Sequence, residues 1–126
     1  MTPDYADGYY NRGTAYGKLL GQFQLAIDDF NVVIGLKPDY TKAYNNRGLS
    51  YYGLGQFQLA IDDFNKAIGM KQDYADAYNN RATVYLKQGN KETGCGDAQK
   101  ACASGNCKTL VLDFNINRVI SKERSD

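Results

Sequence analysis

Three arginines, Arg12, Arg47 and Arg81, recur at steps of 35 and 34 residues, and two acidic pairs, Asp28–Asp29 and Asp62–Asp63, recur at 34. Paired carboxylates can act as acid and base, but adjacent residues on a helix point roughly 100° apart and do not converge on one substrate atom. A guanidinium is costly to bury alone, so the shared period predicts Arg–Asp pairing between helices as a structural device. The chain has no histidine. It therefore lacks the commonest general base near neutral pH and the commonest zinc or iron ligand. Of the three cysteines, Cys95 and Cys102 lie seven residues apart, roughly 10 Å along a helix, too far to bridge. Cys102 and Cys107 flank ASGN, which suits a helix end, and they either bridge there or remain free thiols. Three thiols without histidine leave a zinc ion one ligand short, and the spacing is not C-x-x-C. No catalytic residue, metal or cofactor is expected, and the chain does not read as an enzyme.

The elements that must position these residues come from a repeat. GQFQLAIDDFN stands at 21–31 and again at 55–65; YYNRG at 9–13 becomes YNNRG at 44–48 and YNNRA at 78–82. A fixed period near 34 marks a repeat array. In the second unit Tyr44, Gly48 and Tyr51 fall on one helical face. After Gly55, a second stripe runs through Phe57, Ala60, Ile61, Phe64, Ala67 and Ile68. Each unit is thus helix, turn, helix. First helices are expected near 5–18, 40–53 and 74–87, and second helices near 23–36, 57–70 and 92–104. Asp4, Asp39 and Asp73 precede the first helices and are expected to cap them. The first unit carries one extra residue between its helices. The third has a second helix weakened by Gly94 and Gly96, with Ala98 in place of phenylalanine. Residues 108–121 read as a capping helix, with KERSD as a frayed tail.

The spacing Tyr44–Gly48–Tyr51, then Gly55, Phe57, Ala60, Phe64 and Ala67, resembles the tetratricopeptide repeat. Three in-phase units cover about 5–38, 39–72 and 73–106. The resemblance implies an all-α, right-handed α-solenoid of three repeats plus the cap, forming a single domain over 1–126. It also implies a concave groove, lined by first helices, that holds a peptide or partner helix. Carried onto this sequence, the groove columns are Lys42 at the rim, then Tyr10, Asn45 and Asn79. Asn11, Asn46 and Asn80 follow, then Thr14, Leu49 and Thr83, with Tyr52 and Lys87 toward the turns. The Asn11–Asn46–Asn80 column resembles an amide ladder that pairs with peptide backbone without regard to sequence. The basic members of the carboxylate clamp used by co-chaperones of this family are missing. The stretch GCGDAQKACASGNC at 94–107 resembles the end of bacterial proteins of this class, which implies a bacterial source.

Bulk properties narrow the partners. A net charge of +1 argues against a dedicated nucleic-acid or anionic-membrane surface. No apolar run approaches the ~20 residues of a bilayer span, and the start MTPDYADGYY has no signal-peptide character. A protein or peptide partner is expected. The alternative is self-association through the repeat ends, because Tyr9 and Tyr10 lie on a face that would pack another helix pair. The cytoplasm is favoured, or the periplasm or exterior if Cys102–Cys107 is a disulfide.

Overall fold

The computed structural model describes residues 5–104 and 106. Among these there are six helices and no strand. They are α1 (Tyr5–Leu20), α2 (Phe23–Leu36), α3 (Thr41–Gly53), α4 (Phe57–Met70), α5 (Ala75–Lys87) and α6 (Lys91–Ala103). The fold is all-α, built from helical hairpins. The chain divides between Gln72 and Asp73 into two compact units, the first holding α1–α4 and the second α5 and α6. The expected cap at 108–121 and the KERSD tail lie outside the described residues.

Each hairpin turns on a glycine with positive φ: Gly21 (62°), Gly55 (75°) and Gly89 (84°). That backbone region costs an L-residue about 1–2 kcal/mol, so the glycines fix where each first helix stops. Gln56 N–H donates to Tyr51 O at 2.9 Å and Asn90 N–H to Tyr85 O at 2.8 Å, a five-residue closure that satisfies carbonyls at the helix end. In the first hairpin the same closure spans six residues, Gln22 N–H to Tyr16 O at 2.9 Å. The additional residue seen in the sequence is absorbed there, and α1 runs two residues past its expected end.

Inside the first unit, glycine meets phenylalanine. A Cβ on Gly13 would lie 3.0 Å from Phe30 Cε1, and one on Gly48 would lie 2.6 Å from Phe64 Cε1. Both rings are fully buried, and each bare backbone surface is what admits its ring. The first hairpin packs on the second through Ala26, Phe30 and Val33 of α2 and Ala43 of α3, edged by Tyr10 and Tyr40. Tyr40 Oη also donates to Asp7 at 2.7 Å.

In the second unit the size pattern is exchanged. Ala82 and Ala98, both fully buried, stand where the second hairpin has Gly48 and Phe64. Gly94 admits Leu86, whose Cδ2 would be 2.8 Å from an added Cβ. The weakened α6 of the sequence analysis is nevertheless a complete helix of 13 residues, because Gly94 has a packing role and Asn90 caps the start by accepting from Thr93 N–H at 3.4 Å.

The acidic caps expected on the first helices are not formed at the described positions. Tyr40 and Tyr74 occupy the cap positions of α3 and α5 without a side-chain cap bond. Asp39 and Asp73 sit one residue too early to reach the free N–H groups. Asp39 instead uses its carbonyl, which accepts from Thr41 Oγ1 at 3.4 Å.

Candidate functional site

The arginine column resolves into three bidentate ion pairs, one per hairpin. Arg12 holds Asp29 with bonds of 2.8 and 2.7 Å, Arg47 holds Asp63 with the same lengths, and Arg81 holds Asp97 with two of 2.7 Å. The second member of each acidic pair takes the arginine, while Asp28 and Asp62 point outward to Gln24 and Gln58. Asp97 was not singled out in the sequence, although it lies 34 residues after Asp63. Tyr9 and Tyr16 flank Arg12 at 5.4 and 5.8 Å, and Tyr44 and Tyr51 flank Arg47 at 5.6 and 5.9 Å. The hydrogen bonds to each carboxylate raise the pKa of all three guanidinium groups. Burial pushes the Asp63 carboxyl above its ordinary value, and Arg47 offsets only part of that rise. These groups hold the two helices of each hairpin together.

The residues assigned to the groove separate into three sets. Asn11, Lys42, Thr83 and Lys87 are exposed. Tyr10, Thr14, Leu49, Tyr52 and Asn80 are half-buried. Asn45, Asn46 and Asn79 are buried. The Asn11–Asn46–Asn80 column is therefore not a row of equivalent amides. Asn46 Nδ2 donates to Tyr10 Oη at 3.0 Å and to Thr14 Oγ1 at 3.2 Å, so both of its N–H donors join α3 to α1. That engagement follows from its place on the inner edge between two first helices, where an unpaired amide would be costly. In the second unit, Asn79 Nδ2 donates to the backbone carbonyl of Asn106 at 3.2 Å, and Asn106 Nδ2 donates to Asp76 Oδ1 at 3.0 Å. Asn106 thus lies on α5, a contact with no sequence signal.

Between α1 and α3 lies an open pocket of about 70 Å³, bordered by Gly13, Thr14, Gly17, Lys18, Phe23, Phe30, Asn46, Leu49 and Ser50. Its origin is one missing side chain. Gly17 occupies the position that Tyr52 holds in the second hairpin, 35 residues on, where the tyrosine ring packs on Phe57 with centroids 5.6 Å apart. In the first hairpin Phe23 remains, but no ring faces it from position 17. The walls are mostly apolar, and the volume suits a small aliphatic side chain better than ordered water, which needs several polar partners. Thr14, Leu49 and Asn46 were assigned to the groove from the sequence; Gly17, Phe23, Phe30 and Ser50 were not.

Among the cysteines, Cys102 is disulfide-bonded and Cys95 is a half-buried thiol. Cys107, the expected partner of Cys102, lies outside the described residues. No group of three His, Cys, Asp or Glu among the described residues is arranged to hold a metal ion. No helix among them is long and apolar enough to cross a membrane.

Paired helices of this length, turning on periodic glycines and packing small residues against aromatics, define a class of helical repeat proteins. Tetratricopeptide repeat profiles match residues 6–40 and 41–74, together more than half of the chain. The chain belongs to the tetratricopeptide repeat family. Its fold is similar to that of the first TPR domain of Spaghetti (RPAP3) bound to the HSP90 peptide SRMEEVD, with a TM-score of 0.83 at 21% identity, over 96% of this chain and 97% of that one. It is also similar to the Arabidopsis OM64 TPR domain, with a TM-score of 0.84 at 21% identity, over 91% and 96%. Similarity to MamA gives a TM-score of 0.72 at 29% identity; it covers 79% of this chain but 57% of that protein, so the chain spans little more than half its length. No curated protein sequence matches the chain significantly.

Proposed function

We propose that the chain is a protein-interaction module, without catalytic activity of its own, that holds an extended peptide against its first helices. The pocket at Gly17 is the observation that carries the proposal. An extended segment crossing α1 and α3 can insert one small aliphatic side chain between Phe23 and Leu49, with the exposed Lys18 beside it to favour an acidic neighbouring residue. The hydrogen bond from Asn79 to the Asn106 carbonyl supports backbone capture by this asparagine position, since the chain's own peptide group is held there. The likeness to an RPAP3 domain bound to an HSP90 peptide supports a peptide as the ligand class. A bacterial source belongs to the same proposal. The disulfide at Cys102 supports an oxidising compartment over the cytoplasm.

The decisive variant fills the pocket without harming the fold. A Cβ at position 17 would rest 3.4 Å from Ser50 Oγ and 3.6 Å from Ala26 Cβ, ordinary contacts. Gly17→Ala should therefore raise stability by about 0.5–1 kcal/mol through helix propensity, while lowering affinity for peptides selected by display against the native chain. Retained affinity in a variant that melts higher would remove the pocket from the binding site.

A further inference from the structure

Two glycines on the first helices depart from their columns. Gly17 stands where the next two units carry Tyr52 and Leu86, at steps of 35 and 34. Gly53 stands in a column that otherwise holds Lys18 and Lys87. Phe23, which lines the pocket at Gly17, packs on Gly53. A Cβ there would lie 2.5, 2.6 and 2.7 Å from three atoms of the ring, so Phe23 lies where it does because position 53 has no side chain. Gly53 itself is outside the pocket. The ring is a wall, with the pocket in front of it and the α3 backbone behind it. In the second hairpin the equivalent ring, Phe57, is met by Tyr52, with centroids 5.6 Å apart.

Resting on the peptide reading above, we infer that Gly53, acting through Phe23, sets which side chain of the peptide the pocket takes, and that this side chain is valine. A closed cavity of about 150 Å³ takes up benzene, about 25 Å³ for each carbon. At about 70 Å³ the pocket takes about three carbons, the isopropyl group of valine. Alanine leaves part of it empty, and leucine brings one carbon too many. The polar side chains at its edge bond to one another: Asn46 Nδ2 donates to Thr14 Oγ1 at 3.2 Å, and Ser50 Oγ donates to Asn46 O at 3.2 Å. An apolar side chain breaks neither bond. The exposed Lys18 at the mouth complements an acidic residue beside the valine. Gly53 touches no ligand and is a positioning residue. A methyl group added there drives the ring forward by about 1 Å to reach an ordinary carbon contact, and the pocket shrinks.

The probes are three acetylated, amidated peptides, SEVES, SEAES and SELES, titrated by NMR into the intact, isotope-labelled chain. Expected are shift changes at Gly17, Phe23 and Leu49. SEVES should bind about tenfold more tightly than SEAES, the worth of two further buried carbons, and several-fold more tightly than SELES, which overpacks the pocket. Gly53→Ala should bring the ratio of SEVES to SEAES close to one, whereas a merely structural loss would weaken all three peptides alike. Phe23→Leu removes part of the wall and should move the preference to SELES; it carries the test alone if Gly53→Ala does not fold. Equal binding of the three peptides by the native chain, or an order of preference unchanged in either folded variant, would overturn the assignment and leave the peptide reading standing. Binding of none of them by the native chain would remove both.

Discussion

The first two hairpins share eleven identical residues in and before their second helices, yet their first helices behave differently. α4 and α2 each bury an alanine, an isoleucine, an aspartate and a phenylalanine at matched positions. α3 buries six residues and α1 only two. Where α3 has Ala43 and Tyr52, α1 has Gly8 and Gly17; where Arg47 is shielded, Arg12 stands in solvent. The second helices are constant scaffold. The first helices carry the variation that opens a pocket on one side and an open hollow on the other.

The comparison can be broken most severely at the shared scaffold. Phe64→Ala should cost about 3–5 kcal/mol in urea unfolding, because the ring is fully buried against Gly48 and its loss leaves a cavity. The ion pairs sharpen the contrast. Asp63→Ala should cost about 2–3 kcal/mol, since it strands a largely buried Arg47, discounted from a fully buried pair for its remaining solvent contact. Asp29→Ala should cost clearly less, because Arg12 can be rehydrated where it stands. Equal losses at the two sites would mean that exposure does not separate the hairpins. A milder difference lies in the glycines. Gly48→Ala should destabilise by about 1–3 kcal/mol through collision with Phe64, opposite in sign to Gly17→Ala.

The smallest effect is with pH. Burial raises the folded-state pKa of Asp63 above its reference of 3.8. Between those two values the folded chain binds the proton more readily than the unfolded chain. This group's contribution to stability therefore rises as pH falls through the folded value, and levels off below 3.8. Urea titrations from pH 7 to 3 should show native stability gaining on that of Asp63→Asn over that window. The opposite slope would place the pair's ionised form in control.

Much of this was legible in the sequence because periodicity reports burial directly. The helix boundaries follow from stripes of small and aromatic residues, and they match within about two residues. The Arg–Asp pairing followed from two columns sharing one period. Single side chains were harder to place. Asn46 looks like Asn11 in sequence, but the neighbouring hairpin gives it two internal acceptors. The Gly17 pocket depends on a residue that is absent, judged against Tyr52 only after the one-residue offset is applied. Gly94 reads as a helix weakener until Leu86 is seen against it. In each case the deciding quantity is a distance between elements, which spacing along one element does not encode.

Arg47 touches three helices at once: its own, α4 through Asp63, and α2 through Asn31. Prising the first hairpin away from the second therefore strips a ligand from a charged group that stays lodged in the second. The seam resists sliding as well as separation, since either motion misaligns a planar donor against two fixed acceptors. Amide protons of α2 and α3 should consequently exchange with solvent in one concerted opening, rather than hairpin by hairpin.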